Sequence, residues 1–230
     1  MTGLYSLTNV GLTYGASPAL QNINLKFGAG EFVAVAGPNG AGKSTLVNVM
    51  SGLRAHYTGG CFFRDRELHN WTRKELARCV SVVPQSVRVE FSFTAEQVVL
   101  MGRTPHADAM FESKADEEHV RRAMDLTGTA PFRYRDFRTL SGGERQRVIV
   151  AAALAQDPEA LLLDEPATWL DIEHQISLYR LLRSLAVTGV LVVTVTHDLN
   201  LAAAYSDRVV LLETGNLVAD GSPAEVFSPS

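Results

Sequence analysis

The sequence predicts an α/β fold: a parallel sheet with helical crossovers, preceded by half-buried strands and interrupted by a helical insertion. Three observations carry this. Short apolar runs at residues 32–36, 160–163 and 190–196 suit strands covered on both faces. Helical spacing follows the first run at 44–53 and separates the other two at 172–185, the alternation that gives parallel strands with crossovers. From about Val87 to Val150 the pattern changes to helical periodicity with clustered Glu and Arg and no strand signal.

Taken in order, residues 4–10 and 20–27 alternate as two half-buried strands, with Tyr14, Gly15, Ala16, Ser17 and Pro18 as the turn region. After Gly28 and Gly30 comes the run Phe32-Val33-Ala34-Val35-Ala36, then a glycine-rich loop and a helix. The strand at 160–163 ends in Asp164 and the strand at 190–196 ends in His197. In the helix between them Ile172, Ile176, Leu178, Tyr179, Leu182 and Leu185 fall mostly on one side. With no repeat, low-complexity tract or long linker, the 230 residues read as one domain, 1–230. Residues 1–86 and 151–230 form its β subdomain and α/β core, and 87–150 the inserted helical subdomain.

At 46% hydrophobic and 20% charged residues, the chain has material for a sizeable core, which excludes disorder. A net charge of −4 argues against life on nucleic acid, where phosphates call for a basic face. Cys61 and Cys79, the only cysteines, have no metal-type spacing and read as buried thiols in a reducing compartment. The longest apolar runs fall short of the ~20 residues of a spanning helix, and the N-terminus lacks the basic start and apolar stretch of a signal peptide. Work at a membrane would therefore be done through a partner.

Gly37-Pro38-Asn39-Gly40-Ala41-Gly42-Lys43-Ser44 fits the pattern G-x-x-x-x-G-K-[ST] between a buried strand and a helix. Glycines let backbone amides curl round an anion without Cβ clashes, and the helix N-terminus adds its dipole. Lys43 can reach the β- and γ-phosphates of a nucleotide, and the Ser44 hydroxyl can hold Mg²⁺. Asp164 and Glu165 end an apolar strand, a costly place for carboxylates without a charge to meet. Ligands of such sheets collect at the carboxyl ends of strands, so these acids and the phosphate loop should share an edge. Asp164 is the candidate Mg²⁺ holder and Glu165 the candidate for polarising the attacking water. His197, ending the next strand, could contact the γ-phosphate by the same argument.

Leu140-Ser141-Gly142-Gly143-Glu144 opens a second helix, with Ser141 as N-cap and Glu144 completing a capping box. The two glycines leave bare amides suited to another anion. A well-capped helix with a glycine-rich entry explains the pattern equally well.

Together these motifs resemble the ATP-binding subunits of ABC transporters over essentially the full length. Gly37 to Thr45 matches the Walker A loop, 161–165 the Walker B strand and 140–146 the signature motif. Gln85 matches the Q-loop, Leu170-Asp171 the D-loop, His197 the switch histidine, and Tyr14 the aromatic that stacks on adenine. The resemblance implies a P-loop NTPase (RecA-like) core with an N-terminal antiparallel β subdomain. It implies hydrolysis of ATP with Mg²⁺, Gln85 joining Ser44 and Asp164 around the metal, and Lys43, Glu165 and His197 acting in catalysis. It further implies a head-to-tail homodimer in which Ser141, Gly142, Gly143 and Asp171 complete the partner's site. Transmembrane permease subunits would hold the pair at the cytoplasmic face of the plasma membrane. A periplasmic or lipid-anchored binding protein would take part indirectly. The segment 93–106 and Leu170-Asp171-Ile172-Glu173-His174-Gln175 are similar to importers of iron–siderophore, haem and cobalamin chelates. Zinc and manganese importers share parts of both, and a cluster-assembly ATPase of this superfamily is similar in size.

Ala167 stands where the family more often has Thr, and Trp169 is expected at the dimer seam or in the core. Arg133, Arg135, Arg138, Arg145 and Arg147 read as a solvated face balanced by Asp136 and Glu144. The remaining histidines are too scattered for a metal site.

Overall fold

The computed structural model of the chain describes residues 3–87, 90–106 and 114–227. Parts of the predicted insertion, 88–89 and 107–113, lie outside them.

Four strands form an antiparallel sheet: β1 (Tyr5–Tyr14), β2 (Ser17–Phe27), β4 (Thr58–Phe63) and β5 (Arg66–Glu67), in the order β2-β1-β4-β5. The first strand runs four residues beyond the alternation that predicts it, because Asn9 takes a left-handed φ of 51° and shifts the register. Tyr5 and Leu7 point inward before that bulge, Val10 and Leu12 after it. Asn22 does the same on β2, where Leu20 and Ile23 are both buried across it. Asn tolerates this conformation better than most residues, so each bulge keeps an apolar row facing the core.

The second sheet has the order β10-β9-β3-β8-β7-β6: β3 (Phe32–Ala36), β6 (Val80–Val83), β7 (Ala160–Asp164), β8 (Leu191–Val195), β9 (Arg208–Glu213) and β10 (Asn216–Gly221). All neighbours are parallel except the β9–β10 hairpin. Strands β3, β7 and β8 are apolar almost throughout because both their faces are covered, whereas the edge strand β10 alternates exposed and half-buried residues. Leu162 packs with the antiparallel sheet and α1 (Lys43–Met50), while Leu161 and Leu163 pack on the opposite face with Leu178, Tyr179 and Leu182. Those last three belong to α6 (Ile172–Val187). Ile172, expected on the buried side of α6, is 75% exposed at its first turn. The helix after the phosphate loop stops at Met50 rather than 53, with Gly52 at φ 72° beyond its cap.

The insertion contains α3 (Ala95–Met101), α4 (Lys114–Leu126) and the start of α5 (Gly142–Ala155), with α2 (Arg73–Ala77) preceding it. Val98, Val99, Val120, Met124, Phe137 and Val148 form its own core. Helix α5 crosses position 150, sending Val148 and Ala151 into that core and Val150 and Ala153 into the sheet's. Three of the five arginines are paired, Arg138 with Asp136, Arg135 with Glu144, and Arg133 with Glu96, a partner not foreseen. Arg147 is instead half-buried, its guanidinium over the Phe132 ring. Cys61 is buried and Cys79 half-buried; both are free. Helices α7 (Leu199–Tyr205) and α8 (Pro223–Val226) close the chain. Among the described residues no helix is long and apolar enough to cross a membrane.

Candidate nucleotide site

Strand β3 delivers the glycine-rich loop to the carboxyl edge of the parallel sheet, and α1 leaves from it. Two glycines there have no substitute. Gly37 has φ 141° and a Cβ would meet the Leu212 carbonyl oxygen at 2.0 Å; Gly42 has φ 98° and a Cβ would meet that of Ala19 at 2.3 Å. Lys43 is 5% exposed, and its Nζ donates to the carbonyl oxygens of Gly37 at 2.8 Å and Pro38 at 2.9 Å. Burial lowers its pKa, opposed by the negative charges of Glu165 and Asp164.

The acids of β7 meet this loop as its register requires. Ser44 Oγ donates to Asp164 Oδ1 at 3.0 Å. Burial pushes the Asp164 carboxyl above its usual range, against the pull of that hydrogen bond. Glu165 has a left-handed φ of 50°, unusual for a non-glycine residue, and its amide donates to the Val195 carbonyl at 3.1 Å. The turned backbone places its carboxylate between two side chains. Gln85 Nε2 donates to Oε2 at 2.9 Å, and His197 Nε2 bonds to Oε1. Such conformations persist where surrounding contacts over-determine them, typically at functional sites.

Gln85, Glu165 and His197 border one cleft of about 600 Å³, together with Tyr14 at its rim, 46% exposed, and Asn39 to Thr45, with Asp164 bonded to Ser44 of that lining. Ligand sites commonly span about 300–1,000 Å³. The sequence gives no hint that Ser17, Pro18 and Ala19 line it too. Nor does it show that the β9–β10 turn braces the loop, Gly215 N donating to Ala41 O at 3.1 Å. Both contacts join segments far apart in the chain; the only local signal is the Thr214-Gly215 turn pair.

Among the described residues no group of three or more His, Cys, Asp or Glu could hold a metal alone. Ser44 Oγ, the Asp164 carboxylate and the Gln85 amide offer hard oxygen donors, a set that fits Mg²⁺ shared with phosphate oxygens.

Ser141, Gly142, Gly143 and Asp171, expected to complete a partner's site, lie outside this cleft. Ser141 caps α5, its Oγ accepting from Glu144 N at 3.2 Å while Glu144 Oε2 accepts from Ser141 N at 2.7 Å. Gly142 borders a separate groove of about 430 Å³ with Gln85, Gln146 and Trp169, and Gly143 packs against Leu170. Asp171 caps α6, accepting from His174 N at 2.9 Å. Trp169 is 64% exposed and so is not core filling.

A phosphate loop at the edge of a parallel sheet, with acids at a neighbouring strand end, defines a P-loop NTPase. The ABC transporter family profile matches residues 20–168. Hemin import ATP-binding protein HmuV of Rhodococcus jostii (strain RHA1) is 46% identical over 219 residues, covering 95% of this chain and 75% of that protein. Cobalamin import ATP-binding protein BtuD of Halobacterium salinarum (strain ATCC 29341 / DSM 671 / R1) is 41% identical over 97% of this chain, but this covers only 56% of its own length. A structure described as a metal-chelate type ABC transporter, inward-facing, matches with TM-score 0.85 at 29% identity over 99% of this chain and 86% of that one. An ATP-binding cassette solved as a dimer with ADP and phosphate after hydrolysis gives 0.85 at 28% identity, over 95% and 98%. The chain belongs to the ABC transporter family, and it is an ATPase of that family.

Proposed function

We propose that this chain drives import of a metal chelate of the haem or cobalamin type by binding and hydrolysing MgATP in a head-to-tail dimer. The observation that supports the chemistry best is the Glu165 carboxylate, held by Gln85 and His197 at the mouth of the phosphate loop. Loop amides from Gly37 to Thr45 bind the phosphates, and Lys43 exchanges two loop carbonyls for β- and γ-oxygens. Tyr14 stacks on the base. Ser44, Asp164 and Gln85 would hold Mg²⁺, which would supply charge neutralisation at the phosphates. Glu165 accepts the proton of the attacking water and His197 steadies the terminal phosphate. Ser141, Gly142, Gly143 and Asp171 act on the nucleotide held by the second copy, which accounts for their distance from this cleft. Residues 87–150 serve as the helical subdomain of a single domain spanning 1–230. Permease subunits dock it at the cytoplasmic face of the plasma membrane, with a periplasmic or lipid-anchored binding protein upstream. The cargo reading rests on the hemin and cobalamin import relatives.

Replacing Glu165 by Gln tests the chemistry: hydrolysis should be lost while ATP binding is kept, and full turnover would overturn the assignment. Purifying the tagged subunit from membranes should bring a polytopic protein with it. In vesicles containing both, ATP-dependent uptake of hemin or cobalamin is expected; uptake of zinc or manganese instead would refute the cargo.

A further inference from the structure

Tyr14 ends β1 at the rim of the nucleotide cleft, and the Arg54 guanidinium lies over its ring, 5.4 Å from the centroid. Tyr14 borders the cleft but Arg54 does not. The cation lies against one face of the ring, from a residue outside the cleft lining. Among the described residues Arg54 makes no ion pair with a carboxylate, and its guanidinium is paired with the Tyr14 ring.

The backbone that carries this exposed arginine is held in place. Its amide donates to the Asn48 carbonyl at 3.0 Å in α1, the helix whose first residue is Lys43. The neighbouring Ala55 carbonyl is 2.6 Å from His69 Nε2, and the His69 ring lies 4.6 Å from that of Tyr57. One short helix thus ties the phosphate-gripping lysine to the cation behind the aromatic rim.

Resting on the nucleotide reading above, we infer that Arg54 is a positioning residue for the nucleobase: it fixes the Tyr14 ring and polarises it for stacking on a purine. A cation on one face draws electron density from the ring, which makes the opposite face a better partner for an electron-rich purine than for a pyrimidine. The effect belongs to the base, not to the phosphates.

The test is a double-substitution cycle with ATP, CTP and tripolyphosphate, read by calorimetric binding and steady-state hydrolysis. Arg54→Met should weaken ATP binding about two- to five-fold. The loss should fall on KM rather than kcat, with a smaller loss for CTP and none for tripolyphosphate. Arg54→Lys should recover part of it. Tyr14→Ala should cost at least about five-fold for ATP, and Arg54→Met should add nothing in that background. Equal losses for ATP and tripolyphosphate would make Arg54 a phosphate cation and overturn the inference, as would an undiminished effect beside Tyr14→Ala. If Tyr14→Ala leaves ATP binding intact, base stacking on Tyr14 is wrong; if Lys43→Ala also does, the nucleotide reading itself fails.

Discussion

Glu165 carries its carboxylate on a backbone turned to φ 50°, with Gln85 and His197 on either side. Gln at this position keeps the shape and loses the base, so kcat should fall about 10²- to 10⁴-fold with ATP affinity retained. Asp164 is a different case. Burial raises its pKa, so the folded chain binds that proton more tightly than the unfolded one. Its contribution to stability is present at low pH and is lost as pH rises through the raised value. Asp164→Asn removes the buried charge while keeping an acceptor for Ser44. Without nucleotide it should melt higher, by about 2–4 °C per kcal/mol relieved, while Mg²⁺-dependent hydrolysis disappears; differential scanning calorimetry and a phosphate-release assay read the two effects. Asp164, Glu165 and His197 were legible as strand ends beside the phosphate loop, and Gln85 through the family resemblance. Their mutual grip was not, because Gln85 and His197 reach Glu165 across 80 and 32 residues, and no local pattern announces a left-handed Glu.

Helix α5 begins with the same device as α3: Ser141 pairs with Glu144 as Thr94 pairs with Gln97. Ala at either N-cap should cost about 1 kcal/mol of stability. Only Ser141→Ala should also slow hydrolysis, because only that cap is proposed to face a nucleotide; equal activity in both variants would leave Ser141 a structural cap. The β subdomain carries its own titrating element. His69 has Glu67 Oε1 2.7 Å from Nδ1 and the Ala55 carbonyl 2.6 Å from Nε2, so both ring nitrogens face acceptors. The Ala55 carbonyl first, then Glu67, raise its pKa. The imidazolium stabilises the fold fully below the unfolded value of about 6.5, and that stabilisation fades as pH rises through the folded value. The melting-temperature gap between wild type and His69→Gln should therefore be widest below about pH 6.5 and narrow above it. At this scale the buried strands β3, β7 and β8 and the helices α1, α5 and α6 were readable, since each carries its own periodicity, whereas the capped helices α2, α7 and α8 were not. Strands β4, β5, β6, β9 and β10 escaped notice. Their burial depends on distant neighbours: Val80 to Val83 becomes a strand by pairing with Ala160 to Leu163. The parity shifts at Asn9 and Asn22 likewise hid the true length of β1 and β2.

Across the whole molecule, one feature stands apart from the single-chain site. Ser141, Gly142, Gly143 and Asp171 lie outside the cleft that gathers the phosphate loop, Asp164's partner Ser44, Glu165 and His197. Beside them Trp169 and Ile172 are 64% and 75% exposed, large apolar side chains with no cover in one chain. A second copy placed head to tail would bring both sets to one nucleotide. Glu165→Gln protein with MgATP should then run as a dimer in sedimentation velocity, and Trp169→Glu should return it to monomer. The motif order in the sequence pointed to this arrangement through family resemblance; the structure adds that Ser141, Gly142, Gly143 and Asp171 lie outside the cleft of their own chain.

The most direct test is the structure of the Glu165→Gln chain crystallised with MgATP. The account predicts a triphosphate wrapped by the main-chain amides of residues 37 to 45, Mg²⁺ on Ser44 beside Asp164, and the terminal phosphate next to Gln85 and His197. A nucleotide bound elsewhere, or a loop that leaves the phosphates ungripped, would contradict it.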